Sequence, residues 1–375
     1  MSGDKYFILK ALLAAIFLNG MCGSFIHAQK IRIPTDLETV RPIFRQDTLE
    51  ICFMGDMMMH ARQLETAFRK DGSYDFSSYF SLIEGRIKDA DIAVANMEYT
   101  LAGEPYAGYP CFSAPDSYAR YLAECGFDVF LAANNHILDR GSEGAARTAD
   151  IYRMLAREKG IMFTGLASDE EERKNNYPLF IRRKGISLAM VNFTYGTNLG
   201  NTAHWPKTNY MGNRTEVGNA LETSQKADIV IALPHWGPEY TLIHSENQEK
   251  TAGWLTENGA DIIIGAHPHV VQDTARVNGV PVIYSIGNAV SNMSAANTQL
   301  ELMVTLKIVR HWNGDITMLE PELTWLWCSR PGGFADGYTV IPVEEYLGRK
   351  DEWKGEWDYD KMKTTFERVR KTTDR

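Results

Sequence analysis

Five short apolar runs in this chain each stop on a residue able to bind a metal ion or move a proton, and that recurrence restricts the fold more than any other feature. Ile51 to Met54 ends at Gly55-Asp56, Ile92 to Ala95 at Asn96-Met97-Glu98, and Val129 to Ala133 at Asn134-Asn135-His136. Ile229 to Leu233 ends at Pro234-His235, and Ile262 to Ile264 at Gly265-Ala266-His267-Pro268-His269. Apolar runs of this length, bounded by turn residues, read as strands buried on both faces. In an open α/β sheet, ligands bind at the carboxyl ends of parallel strands, because helices cover the faces and only that edge is open. Five polar ends on one rim therefore predict a site.

The intervening segments alternate with the strands. Helices are predicted over Tyr74 to Lys88, Ser117 to Cys125 and Glu143 to Lys159, the last two stopped by Gly126 and Gly160. Two more, Glu216 to Lys226 and Glu246 to Asn258, each precede a site strand. Such alternation argues for right-handed crossovers and a mostly parallel sheet. Leu179 to Arg182 and Ser187 to Phe193, joined at Lys184-Gly185, read instead as a hairpin. Val282 to Ser285, Leu300 to Val309 and Ile316 to Leu319 continue the antiparallel pattern, with Asn313-Gly314 as a turn, so a second sheet packs against the first. Leu101 to Pro115 reads as a loop over the site and Asn198 to Arg214 as a substrate loop, while residues from Val343 onward read as a terminal helix and frayed tail. The phrase of an aspartate before an apolar run recurs at Asp91, Asp128, Asp228 and Asp261, although no repeat has a fixed period.

At 375 residues and 44% hydrophobic content the chain can bury the core of one large α/β domain with extensions. Its net charge of -9 gives no basic groove for a phosphate backbone, so nucleic acid is not an expected partner. Lys5 and Lys10 precede the apolar stretch Ala11 to Leu18, which reads as a secretory signal cleaved after Ala28; an uncleaved anchor is the alternative. Removing Asp4, Lys5 and Lys10 takes away a net +1, so the mature chain carries -9 - 1 = -10. The boundaries expected are a signal peptide at 1–28, a linker at 29–48, the catalytic body at 49–343 and a helical tail at 344–375. An exported protein of this kind resides in the periplasm or at the cell envelope. Cys52, Cys111, Cys125 and Cys328 form no CxxC pair, which argues against a thiolate metal site, and a Cys111 to Cys125 disulfide is open in an oxidising compartment.

Carboxylate, amide oxygen and neutral imidazole together suit borderline divalent ions such as Mn²⁺, Zn²⁺ or Fe²⁺, and two ions could be bridged at such a rim. Each residue alone has a structural reading as a core histidine, a turn former or a cap; their shared position at strand ends favours the site. Asn135 can ligate through its side-chain oxygen while His136 donates a proton to a leaving group. Asp139 either orients that imidazole or serves as a turn residue before Gly141. With a bend of the backbone at Pro268, His267 and His269 both face one ion pair, or one ligates while the other meets substrate. Trp236 offers an aromatic wall, Glu239 a carboxylate for a substrate amine, and Arg62 a fork for phosphate or carboxylate. Met57, Met58 and Met59 read as packing; His204, His244 and His311 read as surface or structural.

Gly55-Asp56 with Met58, Asn96-x-Glu98, Asn134-Asn135-His136 with Asp139 and Gly141, His235-Trp236-Gly237 with Glu239-Tyr240, Gly265-Ala266-His267-Pro268-His269-Val270 and Ser285-x-Gly287-Asn288 occur in that order from about Leu49 to Asn288. The set resembles the CapA family of poly-γ-glutamate capsule biosynthesis proteins, itself similar to calcineurin-like metallophosphoesterases. The resemblance implies a four-layer α-β-β-α sandwich, with mixed sheets flanked by helices. It also implies a dinuclear centre of Asp56, Glu98, Asn135, His235, His267 and His269, His136 as proton donor, and Asn288 close to the substrate. Met58 stands where phosphoesterases have a histidine, and Glu98 where they have an aspartate. The implied function is synthesis or processing of a capsule or envelope polymer of the poly-γ-glutamate type, with membrane-bound polymer synthesis proteins as partners. A phosphoesterase acting on nucleotides or envelope phosphodiesters, and a non-catalytic assembly or export factor, are the alternatives.

Overall fold

The computed structural model describes residues 47–200 and 204–374, so the signal peptide expected at 1–28, and all but the last two residues of the linker, lie outside it. In chain order the first elements are β1 (Asp47–Met57), α1 (Ala61–Ala67), α2 (Glu84–Asp89), β2 (Ile92–Met97), α3 (Asp116–Glu124), β3 (Val129–Leu131), α4 (Gly141–Lys159) and β4 (Met162–Thr164). Next come β5 (Leu166–Ala167), α5 (Glu170–Asn176), β6 (Leu179–Arg183), β7 (Ile186–Thr194), β8 (Lys207–Thr208), α6 (Arg214–Ser224), β9 (Ile229–His235), α7 (Glu246–Glu257) and β10 (Ile262–Ile264). The remainder is β11 (Thr274–Val277), β12 (Val280–Ile283), β13 (Leu300–Arg310), β14 (Ile316–Met318), β15 (Glu322–Ser329), β16 (Thr339–Pro342), α8 (Val343–Tyr346) and α9 (Glu356–Thr373).

The strands form an eight-stranded sheet in the order β16-β15-β13-β1-β2-β3-β4, with β14 beside β13, and a six-stranded sheet in the order β11-β12-β10-β9-β7-β6. Strands β1 to β4 are parallel neighbours, as are β7, β9, β10 and β12. Antiparallel strands extend both sheets. Successive side chains on β1 point to opposite faces, as the pleat requires. Leu49, Ile51 and Phe53 meet Ile231, Ile264 and Ile283 of the second sheet in one core. Cys52 and Met54 lie on the other face, under Ile87, Leu122 and Leu155 of α2, α3 and α4. On the far side of the second sheet, Val230, Ala232 and Ile263 pack with Val217, Leu221 and Leu255 of α6 and α7. The result is the four-layer α-β-β-α sandwich that the resemblance implied.

Three sequence expectations change. The five site runs do not share one sheet: three are β1, β2 and β3 of the first, and two are β9 and β10 of the second, so the rim belongs to two facing sheets. The helix expected over Tyr74 to Lys88 is confined to Glu84–Asp89. Asp71 and Asp75 accept the backbone N–H groups of Ser73 and Ser77 at 2.9 and 3.0 Å, local bonds that compete with helix, yet Phe76, Tyr79, Phe80, Ile83 and Ile87 still bury their side chains. Nor is the C-terminus a frayed tail, because Met362, Phe366 and Val369 of α9 belong to the core between the sheets. All four described cysteines are free, so Cys111 and Cys125 are not joined.

The recurrent aspartates prove to be structural. Asp91, Asp128, Asp228 and Asp261 accept N–H groups of Glu50, Ala93, Ser187 and Val230 at 2.9, 2.8, 2.7 and 2.7 Å, each at the amino end of a neighbouring parallel strand. They cap the end of the sheets opposite the site.

Candidate metal centre

Asp56 reaches the rim through an irregularity in β1. Pairing of β1 with β2 shifts register between Met54 and Asp56, and Gly55 takes up the extra residue, a bulge of the kind that re-aims a side chain. A Cβ at Gly55 would overlap the Gly287 carbonyl, so only glycine permits this approach. Asp56 N–H donates to that carbonyl at 3.1 Å, and Gly55 N–H donates to Glu301 Oε1 at 2.7 Å. The strand tip is thereby fixed from behind.

His267 and His269 reach the site by a different device. Their φ angles are +99° and +59°, left-handed values that cost a non-glycine residue on the order of 1–3 kcal/mol each. With Pro268 between them, both imidazoles turn to the same side, their ring centres 5.7 Å apart. Strain of this sort persists where surrounding structure enforces it: Ala266 O accepts from Trp236 N–H at 3.0 Å and Pro268 O from Tyr240 N–H at 2.9 Å.

The side chains converge in a dry cluster. Asp56, Glu98, Asn135, His235, His267 and His269 are all buried. His235 Nε2 lies 2.7 Å from Asn135 Oδ1 and 3.6 Å from Glu98 Oε1. His269 Nδ1 lies 3.8 Å from Glu98 Oε2, 3.3 Å from Asp56 Oδ2 and 2.9 Å from Asn288 Oδ1. One N–H cannot serve both Asp56 and Asn288, and the shorter contact takes it. Asp56 Oδ2, both oxygens of Glu98 and His267 Nδ1 are thus buried without a hydrogen-bond partner. Orphaned polar atoms cost about 1–3 kcal/mol each, more when charged, and here they face one another. Donor atoms of Glu98, His235 and His267 lie within 4.8 Å of one another, as do those of Asp56, Glu98 and His269. Oxygen and nitrogen donors in two groups sharing Glu98 fit divalent metal.

Electrostatics agree with that fit. Burial pushes His235 down to about 3 and His267 well below the ordinary imidazole value, so both are neutral donors at physiological pH. Burial, then the charges of Asp56 and Glu239, push Glu98 well above the usual carboxylate range. Burial also opposes the charge on Asp56, but His269, His235 and Asn96 outweigh it and hold that carboxyl low. Burial works against charge on His269 too, and its partner Asp56 overcomes it.

Beside the cluster, His136 Nδ1 bonds Asp139 Oδ2 at 2.7 Å, and the same oxygen accepts Phe112 N–H at 2.8 Å. Of the two readings of Asp139, the geometry shows the orienting one. His136 Nε2 then faces the cluster, 4.0 Å from Glu98 Oε1. Glu239 stands at the mouth, within 4.8 Å of the donor atoms of His267 and His269. Asn288 sits behind His269 rather than in open contact with the cleft.

Two expected residues are elsewhere. Trp236 is 1% exposed within the outer core of the second sheet, its Nε1 donating to Tyr284 O at 2.9 Å, so it forms no wall of the site. Arg62 points to solvent from α1, paired with Glu65 at 3.0 Å. Conversely, Tyr195 and Asn198 carry no individual signal in the sequence, and Asn96, present there only as part of its motif, has a positioning role. Asn96 donates to Asp56 Oδ1 at 2.7 Å, Tyr195 packs against His267 with ring centres 4.5 Å apart and planes tilted by 40°, and Asn198 Nδ2 lies 3.3 Å from His136 Nδ1. Asn198 begins the segment expected to be a substrate loop, and Tyr195 lies just before it.

Two facing sheets that bring carboxylates, imidazoles and an amide to a common rim define a sandwich-fold protein with a candidate divalent-metal centre. Residues 50–293 match the profile of the bacterial capsule synthesis protein PGA_cap, more than half of the chain, and the chain belongs to that family. It is 26% identical over 282 residues to the PGA biosynthesis protein CapA of Bacillus subtilis (strain 168), covering 72% of this chain and 70% of that protein. Against the capsule biosynthesis protein CapA of Bacillus anthracis it is 26% identical over 281 residues, covering 71% of this chain and 66% of the relative. Among solved structures, a 5'-nucleotidase precursor from Thermus thermophilus superposes with a TM-score of 0.47 at 11% identity, covering 86% of this chain and 59% of that one. Among the described residues, no helix is long and apolar enough to cross a membrane.

Proposed function

We propose that this chain is an exported, divalent-metal-dependent hydrolase of capsule or envelope polymer metabolism, cleaving a γ-glutamyl or phosphoester linkage in a poly-γ-glutamate-type polymer. The observation that carries the reading is the set of buried, unsatisfied donors on Asp56, Glu98 and His267, completed by Asn135, His235 and His269. These residues would hold divalent ions, which when bound would supply Lewis-acid polarisation of a substrate oxygen and a more acidic water. Asp139 fixes the ring of His136 through Nδ1 and leaves Nε2 turned to the cluster, in place to pass a proton to the departing group. Tyr195 packs against the His267 ring, with ring centres 4.5 Å apart. Family membership supports the polymer; membrane-bound synthesis proteins of the same system are the partners proposed, and removal of residues 1–28 at the envelope is the proposed maturation.

Metal analysis of the purified protein, joined to hydrolysis assays on γ-glutamyl peptides and on phosphodiesters, tests this. The expected result is bound Mn²⁺, Zn²⁺ or Fe²⁺, turnover on one linkage class, and loss of both metal and turnover in His267→Ala with its fold retained. A metal-free protein inert on both classes refutes the enzymatic reading and favours an assembly role.

A further inference from the structure

Glu98 serves the candidate centre from beneath, and the structure places a second carboxylate on the open side. A cleft of about 430 Å³ leads to the cluster past Met58, His136, Tyr240 and His269. Among the described residues lining it, Glu239 is the only carboxylate, and there is no lysine or arginine. Its carboxylate, exposed where Glu98 is fully buried, lies within 4.8 Å of donor atoms on both His267 and His269. Those imidazoles belong to different donor groups, His267 with His235 and Glu98, His269 with Asp56 and Glu98. Glu239 therefore stands across both groups from the solvent side, as Glu98 does from the interior.

Backbone geometry holds it there. Tyr240 has φ +62° and donates its N–H to Pro268 O at 2.9 Å, tying the turn that carries Glu239 to the residue between the two histidines. A carboxylate meant only for a substrate amine has no need of that registration. The Asp56, Glu98 and His269 group also offers three protein donors where a closed tetrahedral site has four, with buried Met58 supplying only a soft thioether beside it.

We propose that Glu239 is itself a metal ligand, the exposed carboxylate that closes the centre at its mouth by joining His267 and His269. The proposal rests on the metal reading above, and its test separates the two. Mn²⁺ is titrated calorimetrically into chelator-treated wild type, Glu239→Gln and His267→Ala, with bound Mn²⁺ counted after desalting. Wild type should bind with measurable affinity and His267→Ala should lose binding; if wild type takes up no Mn²⁺, the centre fails and Glu239 with it.

Given a working centre, Glu239→Gln should bind Mn²⁺ at least tenfold more weakly or retain one equivalent fewer, since even partners that merely support a ligand cost 10–100-fold in affinity. Because Glu239 is exposed, the melting temperature of the chelated variant should match that of the chelated wild type. Unchanged Mn²⁺ stoichiometry, with affinity within about twofold of wild type, overturns the proposal. A variant whose only defect is a raised KM for amine-bearing substrates overturns it as well, and returns Glu239 to substrate binding.

Discussion

Glu98→Gln separates the two roles a buried carboxylate can play, holding the fold or holding a metal. Glu98 is wholly buried and neither oxygen has a hydrogen-bond partner. In the chelated protein, burial and the charges of Asp56 and Glu239 raise its proton affinity, so the folded state keeps a proton that the unfolded chain releases. A group raised in this sense gives its full stability below its unfolded value and loses it as pH rises through the folded one. A carboxyl raised in this way costs the fold about 1.4 kcal/mol for each pH unit above its ordinary value of 4.5 over which the folded state keeps the proton. Glutamine is neutral in both states and buries a comparable amide, so the chelated variant should be more stable than chelated wild type at pH 7, by on the order of 1–3 kcal/mol. The gap should close as pH falls toward 4.5, where the carboxyl is neutral in both states. Mn²⁺ at a thousand times its Kd should reverse the order, because it stabilises wild type by about 4.1 kcal/mol and the variant has lost its shared donor. Urea melts in chelator and in Mn²⁺, at pH 7 and near pH 5, measure all of this. A chelated variant less stable than wild type at pH 7 would refute the reasoning, showing that Glu98 is ionised and pairs with His235 and His269 to support the fold.

Asp139→Asn should leave the Mn²⁺ content unchanged while lowering turnover on the order of a hundredfold, because the His136 ring loses the carboxylate that holds its orientation; turnover and metal content measured on one preparation check it. Asp358→Ala should destabilise the protein by about 2–4 kcal/mol in a urea melt without altering metal content, since Trp327 Nε1, which donates to Asp358 at 3.2 Å, would be left buried and unpaired, and the Ser329 hydroxyl, at 2.6 Å, would lose its acceptor.

The strand ends were legible because chemistry and hydrophobic pattern coincide there: an apolar run needs no polar residue at its end, and five such ends carry one. What the pattern could not reveal is which sheet each run joins, since β3 and β9 read alike until their neighbours are known. Asp91, Asp128, Asp228 and Asp261 recur as plainly as the site residues, yet they bond backbone at the other end of the sheets, so recurrence alone does not mark function. Trp236 follows a site histidine directly, and its side chain lies on the opposite face for a reason the sequence does contain. Adjacent residues leaving a strand alternate in direction, so a neighbour of a rim ligand points to the core unless something bends the chain. His267 and His269 lie past the end of β10, where that alternation no longer applies, and they share a side through left-handed backbone that no pattern of residue types dictates. Tyr195 and Asn198 come from the stretch just after β7, and their placement over His267 and His136 depends on bonds such as Asn198 N–H to Asn135 O at 2.9 Å, contacts that exist only once both sheets have closed. The residues that donate to the cluster could therefore be read from local sequence, whereas those that aim or cover it belong to the tertiary fold, and substitutions among the latter should alter turnover before they alter metal content.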